Sequence, residues 1–256
     1  MIDSIGLIPE GLSTLAFWSL IVLSFFTSAL TAAVGIGGGV TLLAIMANMM
    51  PATAVIPVHA VVQMGSNIGR FMTLLGFVDW RMIGWFTLGS LIGAWFGGQL
   101  AVALPGAAIQ VAMGAFILYS AWLPTFKLPS SRRSIIYLGA GTSTVSMIVG
   151  GVGPFIYVVI KDLFSDRRGV VSTLAAMNTV QQILRASFYG LLGFVFTDWW
   201  WFIGLMIFTG FLGTLTGKQF LERVTAEQAK PILTAILTVL SLRLLYLGLT
   251  DLLGLR

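Results

Sequence analysis

The chain has 256 residues, of which 57% are hydrophobic and only 9% charged, with a net charge of +5. Soluble domains carry about 25% charged residues, so a water-soluble fold of this size is excluded, and so small a positive excess is no nucleic-acid footprint. There is no cysteine, which removes disulfides, thiolate metal sites and cysteine nucleophiles.

The N-terminal segment MIDSIGLIPEGLST has no basic region and does not read as a cleaved signal peptide. Apolar runs then follow at 12–34, 37–50, 54–77, 82–104 and 106–124, the first two separated by GIGGG at 35–39. A basic segment, Lys127 to Arg133, interrupts the series. Runs resume at 134–149, at 152–163 behind GGVGP, and at 169–196, 198–217 and 231–249. These lengths suit membrane-crossing helices and half-crossing pieces, and the alternation of a transmembrane barrel is absent.

The two series align. Gly35 pairs with Gly150 and Arg70 with Arg185, each 115 residues apart, and LLGFV at 74–78 recurs at 191–195. Gly93, Gly97 and Gln99 recur as Gly213, Gly217 and Gln219, 120 residues on. Ordered matches with slowly growing offsets indicate an internal duplication. The fold expected is an all-α polytopic membrane protein of two inverted-topology repeats. Each repeat has four to five helical segments, short or broken at the glycine-rich motifs. Residues 1–124 form the first repeat, 125–133 a basic cytoplasmic linker and 134–256 the second repeat.

An odd number of crossings per repeat puts the linker inside when the termini are outside. Ten basic residues then face the cytoplasm, Arg81, Lys127, Arg132, Arg133, Lys161, Arg167, Arg168, Lys218, Arg223 and Lys230, against Arg256 alone outside. The positive-inside rule selects that orientation. A bacterial inner-membrane location with periplasmic termini is the expectation. Trp199, Trp200 and Trp201 are expected at the outer interface, with Trp80 and Trp85 near the inner one.

The third run of each repeat is amphipathic in an unusual way. His59, Gln63, Ser66, Asn67 and Arg70 are spaced by three and four, so they share one helix face. Asn178, Gln181, Gln182, Arg185 and Tyr189 form the corresponding stripe. Such stripes face protein or water, not lipid. An arginine at a span centre costs about 2.5–3.5 kcal/mol on insertion scales and needs a partner. Yet all nine acidic residues lie at segment ends or in loops. The missing counter-ion is then the cargo, since guanidinium offers a donor fork matched to oxyanions. The alternative for either arginine is snorkelling, or bonding to carbonyls freed at a helix break. For Arg243, without a counterpart, snorkelling is the expectation.

The breaks complete the candidate site. Half-helices that start at Gly38, Gly39 and Gly153 present free N–H groups and a positive dipole end to an anion. Gly93, Gly97, Gly213 and Gly217 read instead as close-packing positions. Candidate ligand-binding residues are thus Arg70, Arg185, Gln63, Asn67, Asn178, Gln182, Gly38, Gly39 and Gly153. His59 is the only candidate proton carrier, although a lone histidine near a helix start is more often structural or interfacial. No metal site or cofactor is expected. The partners expected are a small anion and the lipid bilayer, with no nucleic acid; a homodimer is left open.

The glycine-rich first break, the turn LLGFVDWR at 74–81, the GxxxGxxxG of residues 89–97 and a weaker second copy together resemble the TauE/SafE family of membrane permeases. The resemblance extends from about residue 15 to residue 250. It implies export of sulfite or organosulfonates, such as taurine or sulfoacetate, from a bacterial cytoplasm; alternating access at a site between the repeats is the mechanism expected. The second copy departs from the first: VGGVGPF stands for VGIGGGV and DWWWF for DWRMI. Rival readings are an anion channel, a carrier of another small anion, and a non-transporting subunit. An intramembrane enzyme is disfavoured, because one histidine without cysteine or core carboxylate assembles no nucleophile–base–acid set.

Overall fold

A computed structural model describes residues 8–34, 37–122, 131–219 and 226–255. Asp3, Gly35, Ile36, linker residues 125–130 with Lys127, Glu222, Arg223 and Arg256 lie outside the described residues. The first half holds α1 (Thr14–Val34), α2 (Gly38–Met49), α3 (Ala52–Thr73), α4 (Trp80–Ala103) and α5 (Gly106–Trp122). The second holds α6 (Arg132–Val149), α7 (Gly153–Ile160), α8 (Arg167–Leu191), α9 (Trp200–Lys218) and α10 (Ala226–Leu252). Among the described residues the fold is all-helical, as a polytopic membrane protein requires, since helices satisfy their own backbone groups in lipid.

Among the described residues, four segments are long and apolar enough to cross a membrane: Thr14–Ala33, Trp80–Ala103, Phe196–Gly217 and Gln228–Leu252. With 12 and 8 residues, α2 and α7 are too short; at 1.5 Å per residue they reach about 18 and 12 Å of a roughly 30 Å core. With 22 and 25 residues, α3 and α8 have the length but carry the polar stripes.

Acidic residues at the helix starts act as caps. The Asp79 carboxylate accepts from the Met82 N–H at 2.9 Å and opens α4. Asp166 accepts from the Arg168 N–H at 2.9 Å and opens α8. The repeated LLGF is a stop signal rather than span interior. The expected runs reached 77 and 196, but α3 ends at Thr73 and α8 at Leu191. After α8, Gly193 takes φ +99° and the Phe194 N–H reaches back to the Tyr189 carbonyl at 2.9 Å. That left-handed cap releases the chain from the helix at little steric cost only with glycine. The aromatic belt also needs correction. Of the three consecutive tryptophans, Trp199 is buried, stacked on Phe194 with centroids 6.4 Å apart, while Trp200 and Trp201 are exposed, as is Trp80. Trp85 lies under the Arg132 guanidinium, 3.5 Å from its ring centroid.

The packing has an exchange pattern. Helix α3 packs on α8 and α5 on α10, while α4 packs on α6 as α9 packs on α1. Replacing each helix by the one five places on, cyclically, maps these pairs onto themselves. The glycine ridges show why the flanking pairs come so close. A Cβ at Gly93 would run into the Ala140 carbonyl oxygen of α6, and one at Gly97 would lie 2.6 Å from that of Thr144. On α9, a Cβ at Gly213 or Gly217 would run into the Phe25 or Ala29 carbonyl of α1. Phe25 and Ala140, like Ala29 and Thr144, are 115 residues apart. The close-packing reading of these glycines therefore holds in both halves.

Gly93→Ala and Gly213→Ala are expected to lower stability by about 1–3 kcal/mol each, the usual cost of overpacking. Gly84→Ala and Gly204→Ala, whose added methyls meet nothing within 4 Å, are expected to be neutral or slightly stabilising. Thermal unfolding of the four variants in detergent separates the two classes.

Candidate functional site

The stripes of α3 and α8 meet across a cavity of about 80 Å³. One water occupies about 10–15 Å³ of such a volume, so the space suits a few waters or one small oxyanion. From α3 the wall takes His59, Gln63, Asn67 and Arg70. From α8 it takes Leu174, Asn178, Gln181, Gln182 and Arg185. The helix periodicity read from the sequence thus brings both arginines and all four expected amides to one cavity.

Most of the rest of the wall is the chain at the two breaks, with Thr31 and Val40 beside it. Gly37 and Gly39 close one side, and Gly150 to Pro154 the other. Gly37 and Gly150 hold φ at +98° and +88°, a conformation L side chains rarely adopt. Neither α2 nor α7 has a side-chain cap at its start. The first N–H groups of a helix have no partner within the helix and carry its positive dipole end. Two such starts, at Gly39 and Gly153, therefore border the cavity. Each glycine sits against the amide of its own half. A methyl on Gly39 would strike Gln63 Nε2, and one on Gly153 would lie 3.3 Å from Asn178 Nδ2. Gly38 is placed differently from the sequence expectation. It does not line the cavity; its missing side chain faces the Thr27 carbonyl and Thr31 hydroxyl of α1.

A hydrogen bond joins the two stripes directly. Asn67 Nδ2 donates to Gln182 Oε1 at 3.2 Å, between positions 115 residues apart that occupy the same place in each stripe. The same Nδ2 donates to the Gln63 carbonyl at 3.0 Å. An amide has one acceptor end and one donor end, so a single bond between equivalent amides is directional, and the arginines are served unequally. Arg70 Nη2 donates to Asn67 Oδ1 at 3.0 Å and its Nε to the Ser66 carbonyl at 3.3 Å. Arg185 is 3% exposed and its Nε has no hydrogen-bond partner. Gln181, also on the wall, donates to Thr142 and Ser143 of α6 at 2.8 and 3.0 Å. The Tyr189 hydroxyl donates to the Met147 carbonyl at 2.6 Å and stays outside the cavity wall.

His59 lies inside the protein. It is 3% exposed, lines the cavity, and its Nε2 lies 3.0 Å from the Gly39 carbonyl, which clamps the first break onto α3. Arg243, expected to snorkel, is exposed and also has a protein partner. Its Nη1 donates to the backbone carbonyl and side-chain Oδ1 of Asn48 at 3.3 and 3.2 Å, at the end of α2. There it meets carbonyls left open by the helix terminus. Among the described residues no carboxylate lines the cavity and no group of three or more histidine and acidic side chains could hold a metal.

Sequence reasoning passed over Thr31 and Leu174, both on the wall. Leu174 stands 115 residues after His59, so the repeat offset would have found it. Thr31 is reached only because α1 passes the break; its hydroxyl donates to the Thr27 carbonyl at 2.9 Å, a bond with no functional signature in sequence.

The family model described as "Sulfite exporter TauE/SafE" matches residues 20–244. No curated protein and no solved structure matches the chain.

Replacing Asn67 with leucine removes the bridge to Gln182 and the acceptor for Arg70 together. Because buried partners are left unpaired, a loss of about 1–3 kcal/mol is expected. Denaturant unfolding in detergent measures it. Asn48→Leu, at the rim of the fold on an exposed arginine, is expected to cost less.

Proposed function

The chain belongs to the TauE/SafE sulfite exporter family, and from that premise we propose that it exports small sulfur oxyanions, sulfite or organosulfonates such as sulfoacetate or taurine, from the bacterial cytoplasm. The observation that carries this reading is a cavity holding two arginines and, among the described residues, no carboxylate. Guanidinium groups contributed by both halves to one small cavity favour an anion of cavity size. The half-helix starts at Gly39 and Gly153 add backbone donors, and Gln63, Asn67, Asn178 and Gln182 add neutral ones.

The transport cycle proposed is alternating access. Residues 1–124 and 134–256 act as inverted repeats joined by a cytoplasmic linker at 125–133, in an inner membrane with both termini periplasmic. Rocking of one repeat against the other about the α3–α8 contact exposes the cavity to each side in turn. An inside-negative potential drives a monoanion outward by about 2.3 kcal/mol per 100 mV, so export needs no coupling ion. The membrane-integral, transporter character follows from the family; cargo, direction and orientation are the reading offered here.

The test is calorimetric binding of sulfite, sulfoacetate, taurine, sulfate and acetate to detergent-purified protein, followed by flux from loaded liposomes. Arg70→Ala and Arg185→Ala are expected to weaken binding of the preferred sulfur oxyanion by about 100-fold or more, the scale of a lost charge-assisted bidentate contact. Circular dichroism and size exclusion check that both variants stay folded. Unchanged binding in folded variants would refute the arginine site. Flux far above carrier rates without trans-stimulation would favour a channel.

A further inference from the structure

Among the described residues, two buried side-chain polar atoms lack a hydrogen-bond partner: Arg185 Nε and His59 Nδ1. Both side chains line the same cavity. A buried polar group left unpaired is costly, and natural folds keep few of them. That two occur together, in one polar cavity, points to a ligand as the absent partner.

The two atoms are of opposite kind. Arg185 Nε–H can only donate. The tautomer of His59 follows from its other nitrogen. Nε2 lies 3.0 Å from the Gly39 carbonyl oxygen, which can only accept, so in the neutral ring the proton sits on Nε2 and Nδ1 is a bare acceptor. A fully deprotonated oxyanion satisfies the arginine and leaves Nδ1 facing more lone pairs. A sulfur oxyanion that carries its own hydrogen-bond donor satisfies both.

We infer that His59 is a specificity-determining residue whose Nδ1 accepts a hydrogen bond from the cargo, and that the preferred cargo is a sulfur oxyanion bearing an O–H or N–H group. Hydrogen sulfite and hydroxy- or amino-substituted sulfonates belong to that class. The inference rests on the anion-carrier reading above. It gives His59 a role without proton release: the donor hydrogen stays on the cargo and leaves with it. Leu174 stands at the equivalent place in the second half, so only one side of the cavity offers this acceptor, and the cargo is held in one orientation.

The experiment compares isethionate, a hydroxyethyl sulfonate, with propanesulfonate, in which a methyl replaces the hydroxyl. Neither titrates near neutral pH. Binding to the full-length detergent-purified protein is measured by calorimetry. The wild type is expected to favour isethionate by about tenfold or more, as sites built around a ligand hydroxyl do. His59→Leu is expected to bring the ratio to near one, with some loss of affinity for both sulfonates because the bond to Gly39 is removed with the ring. His59→Gln, whose amide nitrogen can keep the bond to Gly39 and whose oxygen can replace Nδ1, is expected to retain a preference of about threefold or more. Equal binding of both sulfonates by the wild type, or an undiminished preference in His59→Leu, overturns the inference alone. If His59→Leu loses propanesulfonate as well, the glutamine variant decides: a retained preference supports the inference and equal binding overturns it. Failure of both sulfonates and of sulfite to bind the wild type overturns the anion-carrier reading and this inference with it.

Discussion

The polar faces of α3 and α8 turn toward each other, and the Asn67–Gln182 hydrogen bond is where they touch. Lipid offers no partner for amides or guanidinium groups. Two helices with such stripes must therefore pack stripe to stripe, with their apolar faces outward. Once α3 and α8 are joined, the glycine breaks before α2 and α7 are brought to the cavity walls, because each break rests on an amide of its own stripe. Unwound backbone is tolerated at membrane depth only where it is enclosed by protein or lines a cavity. The same contact thus makes the breaks permissible and makes the site.

The flanking helices give that centre its enclosure. The ridges of α4 on α6 and α9 on α1 let backbones approach without side chains between them. Between lipid-facing helices close van der Waals contact is a main attraction, since the hydrophobic effect contributes little. The small residues even trade places. Ser24 on α1 faces Gly210 on α9, where the other half sets Gly139 on α6 against Ser90 on α4. Complementarity survives although the residues differ, as expected when a pair must keep its combined volume.

Symmetry fails at the cavity, and there the failure has chemical content. One stripe carries His59 and the other Leu174; Arg70 is held by Asn67 while Arg185 Nε is unpartnered. In the proposed cycle the arginines are the donors of the two sides, and the histidine is the unequal element by which anions would be told apart.

Much of this was legible in the chain. Composition dictated a membrane-embedded helical protein, the 115-residue offset paired Arg70 with Arg185, and three-and-four spacing assigned each stripe to a face. These are local or periodic properties, set by helix geometry and the bilayer whatever the neighbours. Helix ends were less legible: LLGF looked like more span because its residues are apolar, whereas backbone conformation made it a stop. The burial of Trp199, the anchoring of Arg243 to Asn48, the turning of Gly38 toward α1, and the unpaired state of His59 Nδ1 were not legible at all. Each depends on which helix lies opposite. That is decided by the joint packing of the helices and is written in no single segment.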